Sequence, residues 1–319
     1  MTQETTGQLA ADATGALAPA HSPRRILLQR FLRHRLAVVS LFVLVVLAVA
    51  ALAAPWVEAA LGVNAEAVNL FNRMQPPSAA HPLGTDELGR DLLVRLLYGG
   101  RVSLAVGLAA ALCAAVIGTT LGLIAGTLGG RFDSILMRLA DSVIALPLLP
   151  LLIVLAAVDL NKLGLPADWL QDESVSIYRI VFLIALVGWT TTARLVRGAT
   201  LSLREREYVR AAVALGAGKG RLMWRHILPN AISPVIVATT LSVGNVILLE
   251  SVLSFLGLGI QPPTPSWGNM LTGAQETIWS QPMLAVWPGL LIFITVIAIN
   301  FLGDGLQDAL DPRSVNRRG

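Results

Sequence analysis

The chain alternates between long apolar runs and short polar or basic segments. Residues 36–54 are apolar except for Ser40, and Arg24, Arg25, Arg30, Arg33 and Arg35 lead into them. Ala51-Leu52-Ala53 has the look of a signal-peptide cleavage site. The apolar core of a signal peptide is only about 7–15 residues, whereas this run is long enough to cross a bilayer, so it is read as a transmembrane helix. Five further spans are expected at about 102–128, 139–158, 176–196, 231–255 and 285–302. The fourth is the weakest, because Arg179 and Arg194 shorten its apolar centre. The fold class is therefore an all-α membrane protein with six transmembrane helices.

Between the spans, the pattern predicts local elements. Residues 1–22 show no periodicity and read as a disordered tail. Residues 23–80 hold the first span and the start of an outer loop. Residues 81–100 read as an outer interfacial helix, with Thr85 as N-cap, Asp86 and Glu87 in the first turn and Leu88, Leu92, Leu93 and Leu96 on one face. His81 and three nearby carboxylates form only a weak metal-site pattern. Residues 101–310 form the core, and 311–319 a second tail. In the second span, Ala110, Ala114, Gly118, Gly122 and Gly126 recur every four residues, a stripe that suits close helix–helix packing. Pro147 and Pro150 predict a bend in the third span.

The segment 207–230 reads as two short helices with a bend between them. Leu201, Tyr208, Ala212 and Leu215 share one helical face, and Gly216 follows where a left-handed C-terminal turn is common. In the second helix Leu222, Met223, His226 and Ile227 lie on one side, and Pro229 is expected to end or kink it. A basic amphipathic hairpin resting on anionic lipid is the plainer reading, but its alanines and glycines offer lipid little apolar area.

Composition agrees with a membrane protein: 55% hydrophobic, 14% charged, mean hydropathy +0.67. With a cytoplasmic N-terminus, eighteen of the 24 lysines and arginines fall on inside segments, including Arg313, Arg317 and Arg318, and six fall outside. That bias places both termini and the 207–230 segment in the cytoplasm. The net charge of +4 is small and the basic residues cluster in particular loops, so nucleic-acid binding is a poor reading. Cys113 stands alone, which rules out a disulfide framework within the chain. Gly218-Lys219 fails the P-loop pattern, because Val213 and Gly220 occupy required positions. No catalytic residues, metal ligands or cofactor-binding residues are visible.

Ala211-Ala212, then Gly216, then His226-Ile227-Leu228-Pro229 resembles the EAA loop of ABC-importer membrane subunits. Arg210 stands where that motif has glutamate, and His226 where an apolar residue is usual; Glu207 lies one turn earlier. The segments from His81 to Asp91, Glu250 to Asn269 and Asn300 to Pro312 are similar to C-type permease subunits of dipeptide, oligopeptide and nickel importers. The resemblance implies a type I ABC-importer permease fold in the bacterial inner membrane, with a cytoplasmic coupling loop at 201–230 that includes Ala217. It implies a second homologous permease, two ATP-binding subunits that carry ATP and Mg, and an extracytoplasmic substrate-binding protein. The expected cargo is a peptide or a similar small polar solute, with nickel as the alternative. Pro147, Asn245, Glu250 and Trp267 are candidates for the pathway or an outer gate. An ion-coupled secondary transporter is the competing class. It normally needs ionisable groups near mid-membrane, and Asp141, Glu250 and Asp304 fall near span ends. A membrane scaffold without transport is the third.

Overall fold

The computed structural model describes residues 23–159, 162 and 174–310. The tails expected at 1–22 and 311–319 lie outside these residues. The helices are α1 (Pro23–Arg33), α2 (Arg35–Leu52), α3 (Ala54–Leu61), α4 (Leu92–Leu128), α5 (Gly130–Ala145), α6 (Leu148–Ala156), α7 (Ser174–Arg204), α8 (Glu207–Ala214), α9 (Lys219–Phe255), α10 (Trp267–Gln275) and α11 (Met283–Leu310). Five of them, α2, α4, α7, α9 and α11, are long and apolar enough to cross a membrane. The pair α5 and α6 adds a sixth candidate, bent by 91° at the break between them.

The second span begins earlier than the sequence pattern suggested. No separate helix starts at Thr85. Asp91 caps α4 by accepting a hydrogen bond from the Val94 N–H at 2.9 Å, and the helix runs unbroken through the span. Residues 81–91 instead fold into a polar knot. The Asp86 carboxylate accepts from the Leu88 and Arg90 N–H groups, both at 2.9 Å, and pairs with Arg90 Nε at 2.7 Å and Arg95 Nε at 3.3 Å. These acids serve a buried turn rather than a helix N-terminus. His81 Nδ1 lies 3.0 Å from the Asp91 carboxylate.

The stripe of small residues in α4 finds its partner within the chain, on α7. A Cβ at Gly118 would lie 2.6 Å from the Trp189 carbonyl oxygen, and one at Gly122 would lie 2.5 Å from that of Ala193. One at Gly126 would meet the Thr200 side chain at 2.6 Å, and Ala110 and Ala114 continue the buried stripe. Backbone approaches backbone here because no side chain intervenes. At the end of the seam, Arg204 Nη1 donates to the Gly126 carbonyl at 2.8 Å and occupies an acceptor that α4 leaves open at its C-terminus.

The α5–α6 pair follows α7 along its length. Asp133 forms a two-point ion pair with Arg197 (2.5 and 2.7 Å), and Ala140 packs with Trp189 and Ala193. Beyond the break, Leu152 and Ala156 join Ile180, Leu183, Ile184 and Val187, and Arg179 donates to the Ala156 carbonyl. Pro147 disfavours helical geometry at Leu146, which is extended at φ −79°, ψ 140°. Pro150 falls in the first turn of α6, where its missing N–H interrupts nothing.

Pro229 does not end its helix. The second short helix of the 207–230 segment is continuous with the fifth span as α9. The turn before the proline, Leu222–Ile227, is a π-helix. Its wider winding moves backbone carbonyls away from the proline ring, whose missing N–H would interrupt a regular α-helical ladder.

Candidate coupling surface and outer core

The 207–230 segment forms a hairpin whose inner side is fixed to the ends of three long helices. Val209 and Ala212 of α8 pack with Leu222 and Ile227 of α9, and the same cluster contains Leu123 of α4, Val196 of α7 and Val235. The helical face anticipated from the pattern is rotated. Tyr208 is 43% exposed and Leu215 is 89% exposed, while Val209, outside that expected set, is buried. Gly216 has φ +84°; its N–H reaches the Val213 carbonyl at 2.9 Å, and the Ala217 N–H reaches that of Ala212 at 3.0 Å. This is a Schellman turn, which needs the left-handed residue that glycine supplies without strain.

The outer side of the hairpin is open. Glu207, Tyr208, Arg210, Ala211, Leu215, Gly216 and Pro229 are exposed, and Ala217, His226 and Leu228 are half-buried. Arg210, Lys219, Arg221 and Arg225 are exposed beside them. Glu207 and Arg210 form no ion pair among the described residues. The surface therefore combines small and apolar groups with unpaired charge.

The residues singled out as a pathway or outer gate do not form one group. Glu250 is fully buried. Its carboxylate accepts from Ser254 Oγ at 2.7 Å and Ser103 Oγ at 3.1 Å. Trp267 is 2% exposed, donates its indole N–H to the Leu96 carbonyl at 3.0 Å, and gives its backbone N–H to Ser103 Oγ at 3.2 Å. Both residues thus belong to a polar core joining α4, α9 and α10, and neither lines an opening. Trp267 also explains Gly99-Gly100 in α4, since a Cβ on Gly100 would sit 2.8 Å from the indole ring. Asn245 is exposed on α9, and Pro147 is exposed at the α5–α6 break, apart from that core.

Sequence reasoning missed Ser103, Ser254 and Ser266, and the buried pair Arg90 and Arg95. The glycine pair and the capping-box sequence Ser266–Asn269 were the available signals. Ser266 Oγ accepts from the Asn269 N–H at 3.2 Å, and Asn269 Oδ1 accepts from the Ser266 N–H at 2.9 Å. Asp86, Glu87, Arg90, Gln261, Asn269 and Met270 help to line a cavity of about 370 Å³ between the polar knot and α10.

Comparison with known proteins extends over most of the chain. Residues 118–316 match the family described as binding-protein-dependent transport system inner membrane component, and residues 22–77 match the N-terminal TM domain of oligopeptide transport permease C. The chain is 40% identical to the dipeptide transport system permease protein of Alkalihalophilus pseudofirmus over 294 residues, covering 92% of this chain and 91% of that protein. It is 39% identical to the oligopeptide transport system permease protein of Bacillus subtilis, covering 89% and 88%. It is 40% identical to the glutathione transport system permease protein of Pectobacterium atrosepticum, covering 92% of each. With matches of this length at both ends, the chain belongs to the dipeptide and oligopeptide branch of the inner-membrane permease subunits of ABC importers.

Proposed function

We propose that this chain forms half of the translocation pathway of an ATP-driven peptide importer. It crosses the inner membrane six times with both termini in the cytoplasm, the α5–α6 pair providing the third crossing. The basic-residue bias supports that orientation, and the pairing of α5 and α6 with α7 from Arg197 to Arg179 supports the count. The other half is a second, homologous permease, and an extracytoplasmic binding protein delivers cargo. Two separate ATPase subunits bind ATP and Mg, and this chain binds no cofactor.

One observation carries the coupling role. The 207–230 hairpin is open on its outer side, yet its inner side is locked to α4, α7 and α9 through Leu123, Val196 and Val235. A partner seated on Tyr208, Ala211, Leu215 and Gly216 would therefore act directly on three crossings. Peptide cargo is supported by the names of the relatives, which transport dipeptides, oligopeptides and glutathione. The test is reconstitution of the complete importer in proteoliposomes with ATP on the ATPase side and no ion gradient. Uptake of a labelled peptide that requires ATP and the binding protein is the expected result. Uptake driven by a proton or sodium gradient without ATP would overturn the reading.

A further inference from the structure

The break between α5 and α6 leaves backbone polar groups bare at the middle of a membrane crossing. Arg197 and Arg179 tie the pair to α7 near its two ends, and Ala140 and Leu152 flank the level of Trp189 and Val187. Leu146 and Pro147 therefore lie close to the midpoint of the 31-residue α7. The Leu146 N–H turns back to the Val143 carbonyl, and the Leu151 N–H serves that of Pro147. The carbonyls of Ile144, Ala145 and Leu146 receive no backbone donor among the described residues. The Leu148 and Leu149 N–H groups reach no backbone acceptor there, and Pro150 has no N–H to give. Leu146, Pro147, Leu148 and Leu149 are all exposed on the chain.

Hydrocarbon offers no partner to such groups. Non-helical backbone at membrane depth persists only where protein covers it or water reaches it. A lipid-facing position for this break is therefore excluded on energetic grounds.

We propose that the α5–α6 break lines the water-filled translocation pathway, with its bare carbonyls on the route of the cargo. The proposal rests on the importer reading above and identifies the wall of the pathway within it. A peptide suits this wall because each of its bonds brings a backbone N–H that a bare carbonyl can accept, whatever the side chains. The flanking leucines supply an apolar surface without selecting one side chain.

The test uses the complete reconstituted importer carrying Cys113→Ala, with single cysteines at Leu146→Cys, Leu149→Cys and, as a lipid-facing control, Phe42→Cys. The probe is a charged methanethiosulfonate reagent, whose thiosulfonate sulfur is attacked by the cysteine thiolate that forms where water reaches, giving a mixed disulfide with methanesulfinate as the leaving group. Positions 146 and 149 are expected to react at least about tenfold faster than position 42. Transported peptide, added with binding protein and ATP, is expected to slow that reaction several-fold. Absence of reaction at positions 146 and 149 in the importer would show that protein covers the break, and would overturn the proposal. Reaction that peptide leaves unchanged would mark a water crevice off the route, which also overturns it. Peptide uptake by the Cys113→Ala importer is measured in parallel. Its failure would count against the cargo reading alone, because labelling without peptide still reports whether water reaches the break.

Discussion

Ser103 Oγ lies 3.1 Å from the Glu250 carboxylate, to which it donates, and accepts the backbone N–H of Trp267 at 3.2 Å. One hydroxyl on α4 thereby holds α9 and α10 in a single arrangement. Glu250→Gln keeps an acceptor oxygen for one of the two serine hydroxyls and is expected to lose part of the stability that Glu250→Ala loses. Glu250→Ala leaves the buried Ser103 and Ser254 hydroxyls without their partner, at about 1–3 kcal/mol. Thermal unfolding of the purified complex should show the lowest midpoint for the alanine variant, with the glutamine variant between it and the parent. An alanine variant that unfolds normally but transports nothing would instead make Glu250 a pathway residue.

Trp267→Ala removes the side chain that fills the space beside Gly99 and Gly100. The expected cost is about 3–5 kcal/mol, as for other large buried aromatic residues. Limited proteolysis should cut the segment around α10 faster in this variant. Trp267→Phe keeps most of the volume and loses one hydrogen bond, so it should fall between the alanine variant and the parent.

Gly216→Val forces a β-branched residue into a backbone conformation at φ +84°. The local cost is about 1–3 kcal/mol. A Cβ at this position meets no neighbour within 4 Å, so the strain comes from the backbone alone. Membrane insertion and pairing with the second permease should persist. Pull-down of the ATPase subunits and cargo-stimulated ATP hydrolysis in liposomes should fall. Full stimulation in Gly216→Val would remove the hairpin from the coupling role.

Gly122→Ala places a methyl group 2.5 Å from the Ala193 carbonyl, so α4 and α7 must separate. Overpacking of this kind costs about 1–3 kcal/mol. Leu108→Ala, at an exposed position on the same helix, should change stability by no more than about 0.5 kcal/mol. Comparing the unfolding midpoints of the two purified variants checks the seam.

Orientation is tested with single cysteines in a Cys113→Ala background. Lys219 and Gln275 are both exposed on the chain. An impermeant thiol reagent added to intact cells should label Gln275→Cys and leave Lys219→Cys unmodified. The reverse pattern would invert the topology and detach the hairpin from any cytoplasmic ATPase.

Some of this architecture was legible because membrane spans and helix ends are local. Ser40 alone interrupts the first apolar run, and the spacing of Leu215 and Gly216 marks the end of α8. The partner of the Gly118–Gly126 stripe was not legible, since nothing in one helix names the helix it meets. Trp267, a candidate for the outer gate from sequence, is a core residue instead. Its environment is decided by Gly99, Gly100 and Ser103, more than 160 residues earlier. The start of α4 was misplaced because Asp86 and Glu87 mimic a first helical turn, while the true use of Asp86 depends on Arg90 and Arg95. The site residues divide in the same way. Gly216 follows from a local rule, whereas the role of Glu250 depends on a contact with α4.

The seam between α4 and α7 has a mechanical consequence. Two helices in backbone contact over Gly118, Gly122 and Gly126, with Arg204 latched to the last turn, cannot slide past one another without atoms colliding. They form one stiff spar. The hairpin clamps one end of that spar through Leu123 and Val196. A push on α8 is therefore carried to both crossings together, through the single cluster that joins the hairpin to them.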